Sequence, residues 1–163
     1  MIRTVIAEDA SNLCAIYNHY IQNTTVTFEE ESVTAATMEQ RIAEVSVQHP
    51  WLVCDLEGEL AGYAYASPWK SRCAYRFSVE TTVYLSPNHF GEGIGTGLYE
   101  SLIEDLKLTD MHSLIAGIAL PNEASIALHE KLGFEKIGQF NEVGRKFDQW
   151  IDVGYWELIF NDL

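Results

Sequence analysis

Glu80 falls in the stretch 76–85, where Phe77, Val79, Val83 and Leu85 alternate with Ser78, Glu80, Thr82 and Tyr84. That period of two reads as a strand, and a carboxylate in its middle is costly unless water or a partner meets it. Two readings stand open: a solvent-facing strand residue, or a general base that takes a proton from a bound group. Just beyond, the stretch NHFGEGIGTG, residues 88 to 97, sets Gly91, Gly93, Gly95 and Gly97 at every second position ahead of an apolar run. Glycines at a helix N-terminus let backbone N–H groups converge on an anion, and a phosphate is the obvious guest. A Walker loop is excluded because no Lys or Arg follows these glycines until Lys107. A dinucleotide fingerprint is excluded because its third glycine would fall on Thr96 or Leu98, and the acidic residue expected about 20 positions on is missing.

Further side chains carry chemistry with a bland alternative beside it. Lys70, Arg72 and Arg76 form a basic cluster, and Arg145 with Lys146 a second pair. Arg72 suits bidentate capture of an anionic group, whereas Arg76 and the Arg145–Lys146 pair read as surface charge. His129 is either a hydrogen-bonded structural residue or a group that moves a proton near neutral pH. Asn122 stands where it caps the helix that follows.

These residues need elements to position them. A short strand at 2–7 leads to a helix with Leu13, Ile16, Tyr17, Tyr20 and Ile21 on one face. A second helix fits 34–48, opened by Thr34 or Ser32 and ended ahead of Pro50. Strands follow at 51–56 and 60–67 about a Glu57-Gly58-Glu59 turn, then at 76–85. Next come a helix at 94–107, a strand at 113–119, and a helix at 123–132 closed by Gly133. Strands at 134–141 and 150–160 finish the chain. Hairpins mixed with crossover helices predict an α+β or mixed α/β layered domain.

Composition bounds the class. At 163 residues, with 47% hydrophobic and 21% charged residues, the chain reads as one globular domain spanning 1–163. No apolar run is long enough for a membrane span, and a net charge of −14 argues against a nucleic-acid partner. The N-terminus lacks a signal-peptide layout, so a cytoplasmic location is expected. Cys14, Cys54 and Cys73 share no metal-ligand spacing and read as reduced, small buried hydrophobes.

Phe90-Gly91-Glu92-Gly93-Ile94-Gly95 resembles the pyrophosphate loop of the GNAT superfamily of acetyl-CoA-dependent N-acetyltransferases, Q/R-x-x-G-x-G/A, with Phe90 departing from the usual Gln or Arg. LPNEASIALHEKLGF, residues 120–134, resembles the superfamily's later cofactor-flanking segment. IYNHYI, TFE, PWLV, GYAYASPWKSRCAY, VETTVYLS and FDQWIDVGYWEL are similar to the phosphinothricin and methionine sulfoximine N-acetyltransferases, over about residues 2 to 160. The resemblance implies the GNAT fold, with a central mixed, mostly antiparallel sheet flanked by helices, and acetyl-CoA as cosubstrate without a metal. It implies Glu80 and His129 as catalytic residues. It implies cofactor contacts at Val83, Tyr84, Leu85, Gly91, Glu92, Gly93, Ile94, Gly95, Thr96 and Asn122. The pantetheine arm is then expected along 81–85 and 113–119, and oxyanion stabilisation at the N–H of Val83 or Leu85. Phe28, Lys70, Arg72, Tyr75 and Tyr84 are implied as substrate contacts. The expected substrate is a small amino acid of the phosphinothricin, methionine sulfoximine or methionine sulfone type, acetylated on its α-amine, with herbicide resistance as a consequence. The alternatives are a GNAT enzyme for a peptide N-terminus or a polyamine, and a coenzyme A binding module without turnover. A homodimer is also implied, with Trp150, Tyr155 and Trp156 as either its contact or core.

Overall fold

Alternation and helical periodicity resolve, in a computed structural model describing residues 1–161, into seven strands and four helices among the described residues. In chain order they are β1 (Ile2–Thr4), α1 (Ala10–Asn23), α2 (Ala35–Ser46), β2 (Trp51–Leu56), β3 (Glu59–Pro68), β4 (Ser78–Leu85), α3 (Ile94–Lys107), β5 (Ser113–Ala119), α4 (Glu123–Lys131), β6 (Glu135–Lys146) and β7 (Gln149–Ile159). The strands hydrogen-bond in the order β1-β2-β3-β4-β5-β7-β6, a mixed sheet whose β4–β5 pair is parallel. The chain divides into two compact units, one of residues 1–18, 33–67 and 81–110, the other of 19–32, 68–80 and 111 onward.

In the first unit, β1 and β3 pair antiparallel on either side of β2. The β2–β3 turn carries Glu57 and Gly58 at φ 55° and 96°, and the Asp55 carboxylate accepts the Gly58 N–H at 2.7 Å. Leu98, Tyr99, Leu102 and Leu106 share one face of α3 and are wholly buried, each side chain contributing roughly 1.5–3 kcal/mol. The Thr34 hydroxyl caps α2 by accepting the Thr37 N–H at 3.1 Å. Arg3 closes the chain's start with ion pairs to Asp9 at 2.8 Å and Asp55 at 2.9 Å.

In the second unit, β7 lies antiparallel between β5 and β6, with bulges in β6 at 136/138 and 140/144. The Asn122 side chain caps α4 by accepting the Ser125 N–H at 3.1 Å, and Gly133 at φ 92° follows its last turn.

Four expectations are corrected. β6 does not end at Asn141: it runs to Lys146 and turns through Phe147 and Asp148, both left-handed at φ 51° and 58°. That primed-turn geometry usually marks itself with Asn-Gly or Asp-Gly, so a Phe-Asp pair hides it. Lys146 is no surface charge, for it is 2% exposed and its ammonium donates to the Thr27 carbonyl at 2.9 Å. Burial pulls that ammonium below the ordinary lysine range, against the opposing influence of Glu30 and Glu29. Cys73 is exposed, unlike buried Cys14 and Cys54, because it opens a short surface turn, Cys73–Tyr75. Phe77 precedes β4 and is exposed beneath the Arg76 guanidinium, which lies 4.3 Å from its ring centroid. Of the aromatic residues of β7, Trp156 is core while Trp150 faces solvent.

Candidate active site

The parity of β4 decides where Glu80 points. Val79 and Thr81 are buried, at 0% and 4% exposure, so the opposite face carries the half-buried Glu80. Glu80 is the last β4 residue on the parallel ladder, which runs Ser78↔Ser113, Val79↔Leu114 and Glu80↔Ile115. Two residues along β5 from Ile115 lies Gly117, which pairs with Tyr155 of β7, so all four share one sheet face. Gly117 leaves room for the phenol ring: a methyl group there would sit 3.2 Å from Tyr155 Cε1. The Tyr155 ring meets Trp69 and Phe140 edge-on, each at 5.8 Å between centroids. The Lys70 ammonium lies 4.9 Å from the Trp69 centroid. Trp69 is itself tied to β4 by its N–H, which donates to the Ser78 carbonyl at 3.3 Å.

This setting perturbs two acids. Burial, with no compensating hydrogen bond among the described residues, pushes the Glu80 carboxyl above its usual range, and the Lys70 charge opposes that rise. Burial also raises the Tyr155 phenol, and the neighbouring Glu80 charge adds to the effect. A half-buried carboxyl with a raised pKa is a candidate proton acceptor. Periodicity marked Glu80 and the family resemblance implied its role; Phe140 and Tyr155 join it through sheet register, and Trp69 through its ring contact with Tyr155 and its N–H bond to Ser78, none of which spacing signals.

Arg72 is exposed and leads into the turn at 73–75, its carbonyl accepting the Tyr75 N–H at 2.9 Å. Among the described residues its guanidinium has no ion pair, which leaves its fork available to an anion. Tyr75 is exposed. Phe28 packs its ring on the bare Gly144 of β6, where any side chain would collide with it. His129 is buried at 3% exposure, and its Nδ1–H donates to the Ser125 carbonyl at 2.7 Å. Burial holds the imidazole below its ordinary pKa, so the ring is neutral at pH 7. Its edge contact with Phe134, 5.2 Å between centroids, fixes the ring plane.

In the first unit, the loop after β4 carries the glycines that open α3. Gly91 and Gly93 sit at φ 79° and 77° with no atom within 4 Å of where a methyl group would stand, so conformation rather than space demands glycine there. Gly93 is the N-cap of α3, and the first-turn N–H groups of Ile94, Gly95 and Thr96 have no acceptor within the helix. The first turn contains no acidic residue. The acid just ahead of it, Glu92, pairs with His89 Nδ1 at 3.0 Å, while Nε2 of the same ring reaches Glu59 at 3.1 Å. Phe90 is exposed and offers no polar contact in place of the usual Gln or Arg. Upstream, Val83, Tyr84 and Leu85 are half-buried. Gly62 of β3 lets the chain pass close to them, since a methyl group there would lie 2.7 Å from Leu85 Cδ2 and 2.8 Å from the Tyr84 carbonyl oxygen. The Tyr84 ring packs on Tyr17 and Tyr63 at 5.2 and 5.6 Å.

Comparison with known proteins gives this geometry its context. Residues 2–154 match the family described as acetyltransferase (GNAT) domain. The chain is 41% identical to a phosphinothricin N-acetyltransferase of Streptomyces viridochromogenes, over 98% of this chain and 87% of that one. It is 36% identical to an L-methionine sulfoximine/L-methionine sulfone acetyltransferase of Pseudomonas paraeruginosa, over 96% and 92%. The crystal structure of a GNAT superfamily phosphinothricin acetyltransferase from Sinorhizobium meliloti in complex with AcCoA superposes with a TM-score of 0.94 at 35% identity, over 98% and 87%. The mixed sheet, the glycine loop opening α3 and these matches together establish that the chain belongs to the GNAT acetyltransferases.

Proposed function

We propose that the chain, acting over 1–163 as one acetyltransferase domain, transfers the acetyl group of acetyl-CoA to the α-amine of a small amino acid of the phosphinothricin, methionine sulfoximine or methionine sulfone type. The observation that carries this reading is Glu80, half-buried, without a hydrogen-bond donor among the described residues, and opposed only by the Lys70 charge. The names and bound cofactor of the relatives support the donor and the substrate class.

The chain's own groups divide the work. Acetyl-CoA, when bound, supplies an activated acyl carbon and a thiol leaving group. Its diphosphate fits the first turn of α3, where glycine conformation and the absence of acids favour an anion. Gly91, Glu92, Gly93, Gly95 and Thr96 give backbone contacts, Ile94 flanks them, and Val83, Tyr84, Leu85 and Asn122 hold the arm. Arg72 and Lys70 take the substrate's anionic groups, with Phe28, Tyr75 and Tyr84 as walls. Glu80 removes the ammonium proton, and His129, kept neutral by burial, relays it. Backbone N–H at Val83 or Leu85 receives the negative charge on the acyl oxygen as the amine adds. Proximity supplies much of the remaining rate.

The chain acts in the cytoplasm as a homodimer, and it confers resistance to phosphinothricin on a cell that makes it. Long, exposed β6, with Ile137, Phe140 and Val143 at 57%, 59% and 57%, is an edge that a second copy would cover. The test of function is thiol release from acetyl-CoA with phosphinothricin, methionine sulfoximine, methionine sulfone, a polyamine and a peptide N-terminus. Preference for the amino acids supports the reading. Preference for the polyamine or the peptide overturns the substrate class, and no release with any of these amines overturns the enzyme.

A further inference from the structure

Lys146 is a charged side chain almost sealed from water that the proposed chemistry leaves without a task. Its ammonium reaches the backbone carbonyl of Thr27, 119 positions earlier in the chain, at 2.9 Å. The next residue is Phe28, whose ring covers Gly144, two positions before Lys146 on the same strand and so on the same face of it. The stretch between α1 and α2 has no regular structure to hold Phe28. Its ties include Glu29 N–H to Thr27 Oγ1 at 3.3 Å, Val26 N–H to Thr24 Oγ1 at 3.2 Å, and Gln22 Nε2 to Ser32 Oγ at 2.7 Å. The pair of contacts from β6 adds a hold from a distant strand at Thr27 and Phe28. Gly144 gives a flat seat, and Lys146 gives a donor that fixes the backbone one residue before the ring. A lysine is apt because its stem buries along apolar neighbours, here with the ammonium 5.1 Å from the Phe147 centroid, while the head still meets an acceptor.

We propose that Lys146 is a positioning residue: from β6 its ammonium holds the Thr27 carbonyl, seats Phe28 on Gly144, and so sets one wall of the amino-acid pocket. The assignment of Phe28 to that pocket rests on the acetyltransferase reading above; the holding of the 24–32 segment does not. The experiment compares wild type, Lys146→Met, Phe28→Ala and the double variant by amide hydrogen exchange and by steady-state kinetics with methionine sulfoximine and acetyl-CoA. Lys146→Met is expected to speed exchange across 24–32 and to raise the KM for the amino acid about tenfold, leaving the KM for acetyl-CoA within about twofold. Adding Lys146→Met to Phe28→Ala is expected to cost nothing further, because both act through one wall. Unchanged exchange across 24–32 overturns the proposal, as does an equal change in both KM values or full additivity in the double variant. Should methionine at 146 prevent folding, Lys146→Gln, whose uncharged amide is one bond shorter and so weakens the reach to the Thr27 carbonyl, carries the comparison with the same direction and smaller amplitude. A wild type that acetylates no amino acid removes the amino-acid substrate reading and the pocket wall with it, and the exchange data then decide alone whether Lys146 holds the segment.

Discussion

Replacing Glu80 by Gln separates catalysis from folding because the two effects have opposite signs. Burial raises the Glu80 carboxyl above its usual range. A carboxyl whose folded pKa is raised is disfavoured when charged, so Glu80 subtracts stability once pH climbs past the unfolded value of about 4.3, and the full penalty is present above its folded pKa. Glutamine keeps the shape and removes that charge, so the variant's melting temperature at pH 7 is expected to equal or exceed that of wild type. Its turnover falls instead. A positioned general base contributes 10²- to 10⁴-fold, and about 1.4 kcal/mol corresponds to each factor of ten. Because solvent can still deprotonate the amine, the lower part of that range applies, and a loss of roughly 10²- to 10³-fold is expected, or about 3–4 kcal/mol in the barrier. Thiol release measured against pH gives the signature. Wild-type activity carries an inflection at the raised Glu80 pKa on top of the rise in free amine that both proteins share, the variant keeps only the latter, and the gap between them narrows at high pH as free amine becomes abundant. A variant with unchanged turnover, or one whose pH profile still shows the wild-type inflection, refutes the assignment of the base.

Three other outcomes follow from the same geometry. Gly93→Ala forces a left-handed alanine at the α3 N-cap, a strain of roughly 1–2 kcal/mol, and is expected to raise the KM for acetyl-CoA about tenfold while the amino-acid KM holds in the same assay. Arg72→Met removes a charged fork and is expected to raise the amino-acid KM about 10- to 100-fold, with acetyl-CoA affinity unchanged by calorimetry. His129→Asn retains a donor for the Ser125 carbonyl but lacks the distal ring nitrogen; a fall in kcat of about tenfold or more with little change in melting temperature marks a proton relay, and an unchanged kcat marks a structural histidine.

Much of the fold was legible because its signals are local. Period-two alternation placed β4, the periodic apolar stripe placed α3, and Asn122 with Gly133 bracketed α4 close to where the caps stand. The far end of β6 was not legible, since bulges break the alternation at 136/138 and 140/144 and its turn uses Phe147 and Asp148 in left-handed conformations. Lys146 was misread for a related reason. A lysine's burial depends on an acceptor brought by chain folding, and Thr27 lies too far along the sequence for any window to join the two. The same holds for Trp69, Phe140 and Tyr155. Phe140 and Tyr155 belong with Glu80 through cross-strand register, and Trp69 through its contact with Tyr155 and its bond to Ser78, neither of which composition and spacing encode.

The setting of Glu80 shows why position on the strand matters as much as residue type. A carboxylate fully in water is too weak a base to take a proton from an amine efficiently, and one sealed in the core would stay protonated and accept nothing. Half-burial on the face opposite Val79 and Thr81 moves the group away from the first limit, and the Lys70 charge keeps it from reaching the second. Lys70 in turn lies over the indole of Trp69, whose backbone is bonded to Ser78, two residues before the acid on the same face of β4. The cation that opposes burial therefore sits on the residues leading into the strand that carries the base. A one-residue slip of β4 would turn Glu80 into the core and Val79 outward, abolishing the base and the packing together.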